Sequence, residues 1–128
     1  MSSPMAGPSQ NHLVPADAGI DLPAALSRLG GDAELLRELA LIVVQDLPEV
    51  LRGVHAGLKA RDHESAARAA HSLKGLAANF SEPAARAAQE AEDAFRNGNT
   101  EQARGTLPML EAYIERLLAE LQRTVIDR

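Results

Sequence analysis

One histidine in this chain has neighbours that would let it act as a nucleophile. In the run Ala69-Ala70-His71-Ser72-Leu73-Lys74-Gly75-Leu76-Ala77-Ala78-Asn79-Phe80, a helical period puts Ala66, Ala70, Leu73, Ala77 and Phe80 on one apolar stripe. His71 falls almost opposite that stripe. Lys74 and Gly75, three and four residues on, lie beside it on the same outward face, together with Glu64, Ala67, Arg68 and Ala78. A solvated imidazole with an ordinary pKa of about 6.5 is substantially neutral and nucleophilic near neutral pH. An ammonium one turn away would attract a phosphoryl dianion as a point charge. Glycine inside a helix costs about 1 kcal/mol relative to alanine, and room for a bulky group on the ring would be a reason to keep it. Ala67, Gly75 and Ala78 are expected to leave the ring approachable.

Competing chemistries find little support. His12 lies in an irregular leader; His63 and His71 are separated by about 12 Å along a helix at 1.5 Å per residue, too far to share a metal. No Glu-x-x-His pair supports a di-iron bundle. There is no glycine-rich phosphate loop ending in Lys-Ser/Thr and no dinucleotide fingerprint, so self-phosphorylation from ATP is not expected. With no cysteine, thiol catalysis and disulfide frameworks drop out. A net charge of −5 argues against nucleic acid as the main partner. Arg28, Arg37, Arg52, Arg61 and Arg68 are interleaved with acids and read as an ordinary solvated face.

The elements that must position His71 follow from the punctuation. At 128 residues there is room for one modest core, and with aromatics at 2% and no tryptophan that core is built from Leu, Ile, Val and Ala. Residues 1–19, with Pro4, Gly7, Pro8 and Pro15, read as a flexible leader or linker; residues 20–126 read as the domain. A short first helix opens at Asp21 and stops at Gly30-Gly31. The second starts at Asp32 and carries Leu36, Ala40, Val43, Leu47, Val50, Val54 and Leu58, with a kink expected at Pro48. Asp62 caps the third, which bears His71. Ser81 opens the fourth, whose small-residue face is Ala84, Ala87, Ala88 and Ala91 with Phe95, and Asn97-Gly98 closes it. Asn99 and Gln102 have capping-box spacing at the start of the fifth, with stripe Ala103, Leu107, Leu110, Ile114, Leu117 and Leu121 and a second kink candidate at Pro108. The expected fold is all-α: an antiparallel up-down four-helix bundle with an additional short N-terminal helix. No apolar run approaches a membrane span and no signal-peptide pattern is present, so a soluble cytoplasmic piece is expected.

The segment His71-Ser72-Leu73-Lys74-Gly75 with Ala77-Ala78-Asn79, preceded by Leu29-Gly30-Gly31-Asp32, Leu35-Leu36 and Asp46-Leu47-Pro48-Glu49, resembles the histidine phosphotransfer (HPt) domain of two-component phosphorelays over about Asp21 to Leu121. One departure is visible: where the family often has Gly-Ala shortly after the motif, this chain has Ser81-Glu82. The resemblance implies that His71 takes a phosphoryl group from a receiver-domain aspartate through Nε2 and passes it to another. Lys74 would stabilise the phosphoryl group and Gly75 would give clearance. Ala67, Arg68 and Ala78 are then the expected docking surface, and Gln89 on the next helix a candidate for orienting ring or phosphoryl. It also implies no cofactor of the chain's own, Mg²⁺ being supplied by the receiver. Partners would be receivers of response regulators or of a hybrid sensor histidine kinase, the expected parent, with no nucleic acid and no direct membrane contact by this domain. Two alternatives from other classes are a helical adaptor that docks receivers without carrying phosphate and a dimerising four-helix domain. A helix-turn-helix DNA binder is disfavoured by the acidic balance.

Overall fold

The computed structural model describes residues 19–127, and the reading of a leader at the N-terminus falls almost entirely outside them. The described residues form five α-helices and no strand: α1 (Leu22–Arg28), α2 (Ala33–Lys59), α3 (His63–Ala77), α4 (Glu82–Arg96) and α5 (Thr100–Leu121). The last runs directly into a π-helical turn, Gln122–Ile126. Each α-helix begins where the sequence placed a cap. The side chains of Asp21, Asp32, Asp62, Ser81 and Asn99 accept from the backbone N–H of Ala24, Leu35, Ser65, Ala84 and Gln102, each such cap contributing about 1 kcal/mol. The Asn99–Gln102 pair closes side chain to side chain, Asn99 Nδ2 lying 3.3 Å from Gln102 Oε1, rather than as the expected reciprocal box. Ser81, at the departure from the family pattern, is a buried cap for α4. α1 ends because Gly30 and Gly31 take φ of +69° and +81°, open to glycine at no steric cost, and their N–H groups close on Ser27 and Leu26. Neither Pro48 nor Pro108 breaks its helix.

The stripes pack inward. α3 lies between α2 and α4, α4 also packs on α5, and α5 with its π-helical turn returns to α2. Phe80 and Phe95 are the largest fully buried side chains, among Leu47, Leu73, Leu110, Ile114, Leu117 and Leu121. On the α3 and α4 faces alanine predominates: Ala66, Ala70, Ala77, Ala84, Ala88 and Ala91 are all fully buried. Alanine gives little transfer energy per residue, but it lets helix axes approach closely. The approach is tightest where Gly57 of α2 faces Ala66 of α3, a Cβ on Gly57 falling 2.7 Å from both Ala66 Cβ and Ala66 N. The π-helical turn, for which the fifth helix's stripe gave no sign, turns Val125 and Ile126 into the core, and Arg37 Nε donates to the Ile126 carbonyl. α1 is tied across the α3–α4 connection: Asp21 N–H donates to Phe80 O at 3.0 Å and Arg28 to Asn79 O at 2.8 Å. No helix among the described residues is long and apolar enough to cross a membrane.

Gly57 and Gly105 separate packing from propensity. Gly57→Ala must push α2 from α3 and is expected to destabilise by roughly 1–3 kcal/mol, read as a lowered urea midpoint at constant slope. Gly105→Ala on α5, where a Cβ meets nothing within 4 Å, is expected to stabilise by up to about 1 kcal/mol.

Candidate functional site

The seam between α3 and α4 determines what surrounds His71. The His71 side chain is 60% exposed, and its Nδ1 lies 3.2 Å from Oε1 of Glu92 on α4. Glu92 is the only buried acid among the described residues, its side chain 8% exposed. Its other oxygen, Oε2, accepts from Arg96 Nε at 2.9 Å, one turn further along α4. Burial alone would raise the Glu92 carboxyl. The hydrogen bonds from Arg96 and His71, with the charges behind them, more than offset this and hold its pKa below the ordinary carboxylate value. An ionised carboxylate has no proton to give, so His71 Nδ1 must be the donor. That leaves the Nε2 lone pair as the ring's nucleophilic site whenever the imidazole is neutral.

A second contact crosses the same seam. Lys74 Nζ, half-buried, donates to Gln89 Oε1 at 2.6 Å, and Gln89 Nε2 donates to Asp93 Oδ1 at 2.8 Å. The ammonium is thus held in place without a direct carboxylate partner, which would otherwise compete with an incoming dianion. Gly75 is exposed, and a Cβ there would meet nothing within 4 Å, so no packing contact accounts for this glycine. Asn79 Nδ2 donates back to the carbonyls of Gly75 and Leu76, closing the end of α3.

The structure brings His71, Lys74 and Gly75 together on one open face and departs from the sequence reading at Ala67. Ala67, expected on the outward docking patch, is fully buried. It lies on the flank of α3 that α4 covers, where the small residues of both helices bring the backbones close, so it cannot offer a partner any surface. Gln89 does face the site, but it holds Lys74 and not the imidazole. The ring is oriented by Glu92, which the sequence reading missed. The only signal for it was an acid within the alanine-rich face of α4, one position after Ala91 in the stripe. Arg68 is exposed and pairs with Glu64 at 3.2 Å; Ala78 is exposed at the C-cap of α3. His55 pairs with Glu111, and His63 Nε2 bonds Thr100 Oγ1 at 2.8 Å beside the Phe95 ring. Among the described residues no three His, Asp or Glu side chains converge as a metal-ligand group.

Residues 38–123 match the family model of the Hpt domain. No curated protein and no solved structure gives a match.

The Glu92 geometry carries a pH signature. A carboxyl whose pKa is depressed in the folded state stabilises the fold above its unfolded pKa of about 4.3, and loses that contribution as pH falls through the folded value. His71 and Arg96 are half in water and can be resolvated, so Glu92→Gln is expected to cost only about 1 kcal/mol at pH 7. The stability gap to wild type should persist to about pH 5 and close below about pH 4, followed by urea titration across pH. Nitrogen NMR of the neutral His71 ring should show the Nδ1–H tautomer in wild type, and a shift towards the Nε2–H form in Glu92→Ala.

Proposed function

Because the chain belongs to the Hpt domain family, whose members carry histidine phosphotransfer in phosphorelays and interact with receiver domains, we propose that His71 is its phosphoacceptor. One observation carries this: an exposed imidazole whose Nδ1 proton is held by a buried carboxylate, so that Nε2 is the nucleophile. His71 Nε2 attacks the phosphorus of an aspartyl phosphate on a receiver. The N–P bond forms, the P–O bond to the aspartate breaks, and the carboxylate leaves with the electron pair. The ring keeps its Nδ1 proton and becomes cationic, and Glu92 then faces that charge across 3.2 Å. Attack by a second receiver's aspartate on the phosphohistidine runs the same step in reverse. Splitting the transfer through a covalent intermediate is nucleophilic catalysis.

Lys74, steadied by Gln89, offsets charge on the equatorial oxygens of the loose transition state, and Gly75 leaves space for the phosphoryl group and the receiver loops that bring it. The chain needs no cofactor of its own in this scheme, Mg²⁺ being brought by the receiver. The docking surface is Gly75 and Ala78, with Arg68 at the rim; its modest size suits a transient signalling contact. We further propose that the four long helices run antiparallel in up-down order. The short connections 60–62, 78–81 and 97–99 support this, since such loops join antiparallel neighbours. The domain would work in the cytoplasm, within or alongside a hybrid sensor kinase. The dimerising alternative draws on the exposed Leu35, Leu41 and Ile42 of α2; sedimentation is expected to find a monomer.

The deciding experiment is transfer of labelled phosphate from a phosphorylated receiver. Wild type is expected to take up an acid-labile, base-stable label and His71→Gln none. Lys74→Ala should slow uptake roughly ten- to a hundredfold, comparable to losing a donor at a developing oxyanion. Gly75→Leu should slow it without lowering the melting temperature. Label on His71→Gln would move the acceptor elsewhere, and receiver binding without label would leave an adaptor.

A further inference from the structure

The end of the bundle where α2 finishes and α3 and α5 begin holds a second concave site, unconnected with the His71 chemistry. A cavity of about 740 Å³ is lined by His55, Leu58, Lys59, Arg61, Thr100 and Arg104. In sequence these cations look dispersed, Arg61 being one of the arginines that read as a solvated face. The fold gathers three of them. Among the described residues the side chains of Lys59, Arg61 and Arg104 have no ion-pair or hydrogen-bond partner, in a chain whose net charge is −5. The acids near them in sequence are otherwise engaged or turned away: Asp62 caps α3, Glu111 holds His55, and Glu101 does not line the cavity.

One further feature is hard to assign to folding. Arg61 has φ of +58°, the only non-glycine with positive φ among the described residues; the other such turns are made by Gly19, Gly30, Gly31 and Gly98. It occupies the left-handed position after the α2 C-cap, where Asp62 N–H returns to Gly57 O and Arg61 N–H to Leu58 O, a position that glycine ordinarily fills. Backbone strain accepted at one residue points to a use for its side chain. Arg104 stands in the second turn of α5. Lys59, at the last turn of α2, is the one cation the helix macrodipole would favour. Thr100 contributes a hydroxyl fixed by His63, leaving its proton for a ligand when His63 Nε2–H is the donor.

We propose that this cleft binds a small, soluble, multivalent phosphate-bearing anion, held by Lys59, Arg61 and Arg104 with Thr100 as a neutral donor. Arginine forks and a lysine point charge suit phosphate oxygens, and the volume is that of an ordinary small-molecule site. Leu58 gives the wall an apolar patch for whatever carries the phosphate.

The test is a titration of the full chain with inorganic pyrophosphate at fixed ionic strength, followed by amide NMR and by melting temperature. It is run in the His71→Gln/Lys74→Gln background so that the relay site is not the source of signal. Saturable shifts confined to residues 58–62 and 99–104, with a raised melting temperature, are expected. Arg104→Gln and Lys59→Gln should each weaken binding roughly tenfold, about 1.4 kcal/mol. Arg61→Gly should weaken binding while raising the melting temperature of the unliganded protein, because it removes the strain together with the ligand contact. Shifts that fail to saturate, that spread over Arg28, Arg68 and Arg86, or that survive in the Lys59→Gln/Arg104→Gln double variant would overturn the proposal, as would an Arg61→Gly protein that binds as tightly as its parent. Vesicles of phosphatidylglycerol that bind through the same residues while pyrophosphate does not would overturn the assignment to a soluble anion.

Discussion

Close approach of α3 to its two neighbours is the constraint from which the site follows. Gly57 lets α2 come within contact of the α3 backbone at Ala66. On the other side, alanines of α3 meet those of α4, nearly all without solvent exposure. With backbones this near, side chains of moderate length reach across the seam at hydrogen-bonding distance: Glu92 to His71 and Gln89 to Lys74. Larger residues would bury more apolar area, at roughly 25 cal/mol per Å², but would move α4 away and leave the imidazole without its carboxylate. The aromatic-poor core is therefore part of how the His71 imidazole is oriented.

Glu92 shows how an acid can be kept under cover. Burying a carboxylate is costly unless it is paired and hydrogen-bonded, and here each oxygen has its own donor, Arg96 on one and His71 on the other. The two are not equivalent. Arg96 is always charged and sits on the same helix, so its pull on Glu92 does not depend on the state of the ring. In the proposed transfer His71 gains positive charge when Nε2 forms a bond to phosphorus, and the carboxylate is already in place to meet it. A neutral amide at this position could accept the same hydrogen bond but would offer no countercharge.

Much of this was legible in the sequence because local rules determine it. Caps at Asp21, Asp32, Asp62, Ser81 and Asn99 are short-range chemistry, and the four/three stripes report burial directly. His71, Lys74 and Gly75 share a helix, so their relative placement needs only the helical period. What stayed hidden depends on how one helix is rotated against another. Ala67 stands at the boundary of its face, and only the position of α4 decides that it is covered. Glu92 and Gln89 are both on α4, and their choice between ring and ammonium is set by an axial offset no single helix contains. The basic cleft joins residues 59 and 61 to residue 104 across the bundle, so it reads as scatter until the ends of α2 and α5 meet.

Helix-interior glycines and one left-handed arginine break local preference, and they sort by whether packing accounts for them. Gly57 is a glycine inside a helix, and the contact with Ala66 explains it. Gly75 breaks the same rule with open space where a Cβ would stand, beside the imidazole. Arg61 breaks a different one, holding a left-handed backbone with a side chain that has no ion-pair or hydrogen-bond partner among the described residues. Gly105 likewise has open space where a Cβ would stand, so an unfilled glycine alone marks no site; Gly75 and Arg61 are singled out by what stands beside them. Those two lie on different surfaces, one beside the His71 imidazole and one in a cationic cleft. Their separation is the physical reason for proposing phosphoryl transfer and anion binding as two distinct properties of one small bundle.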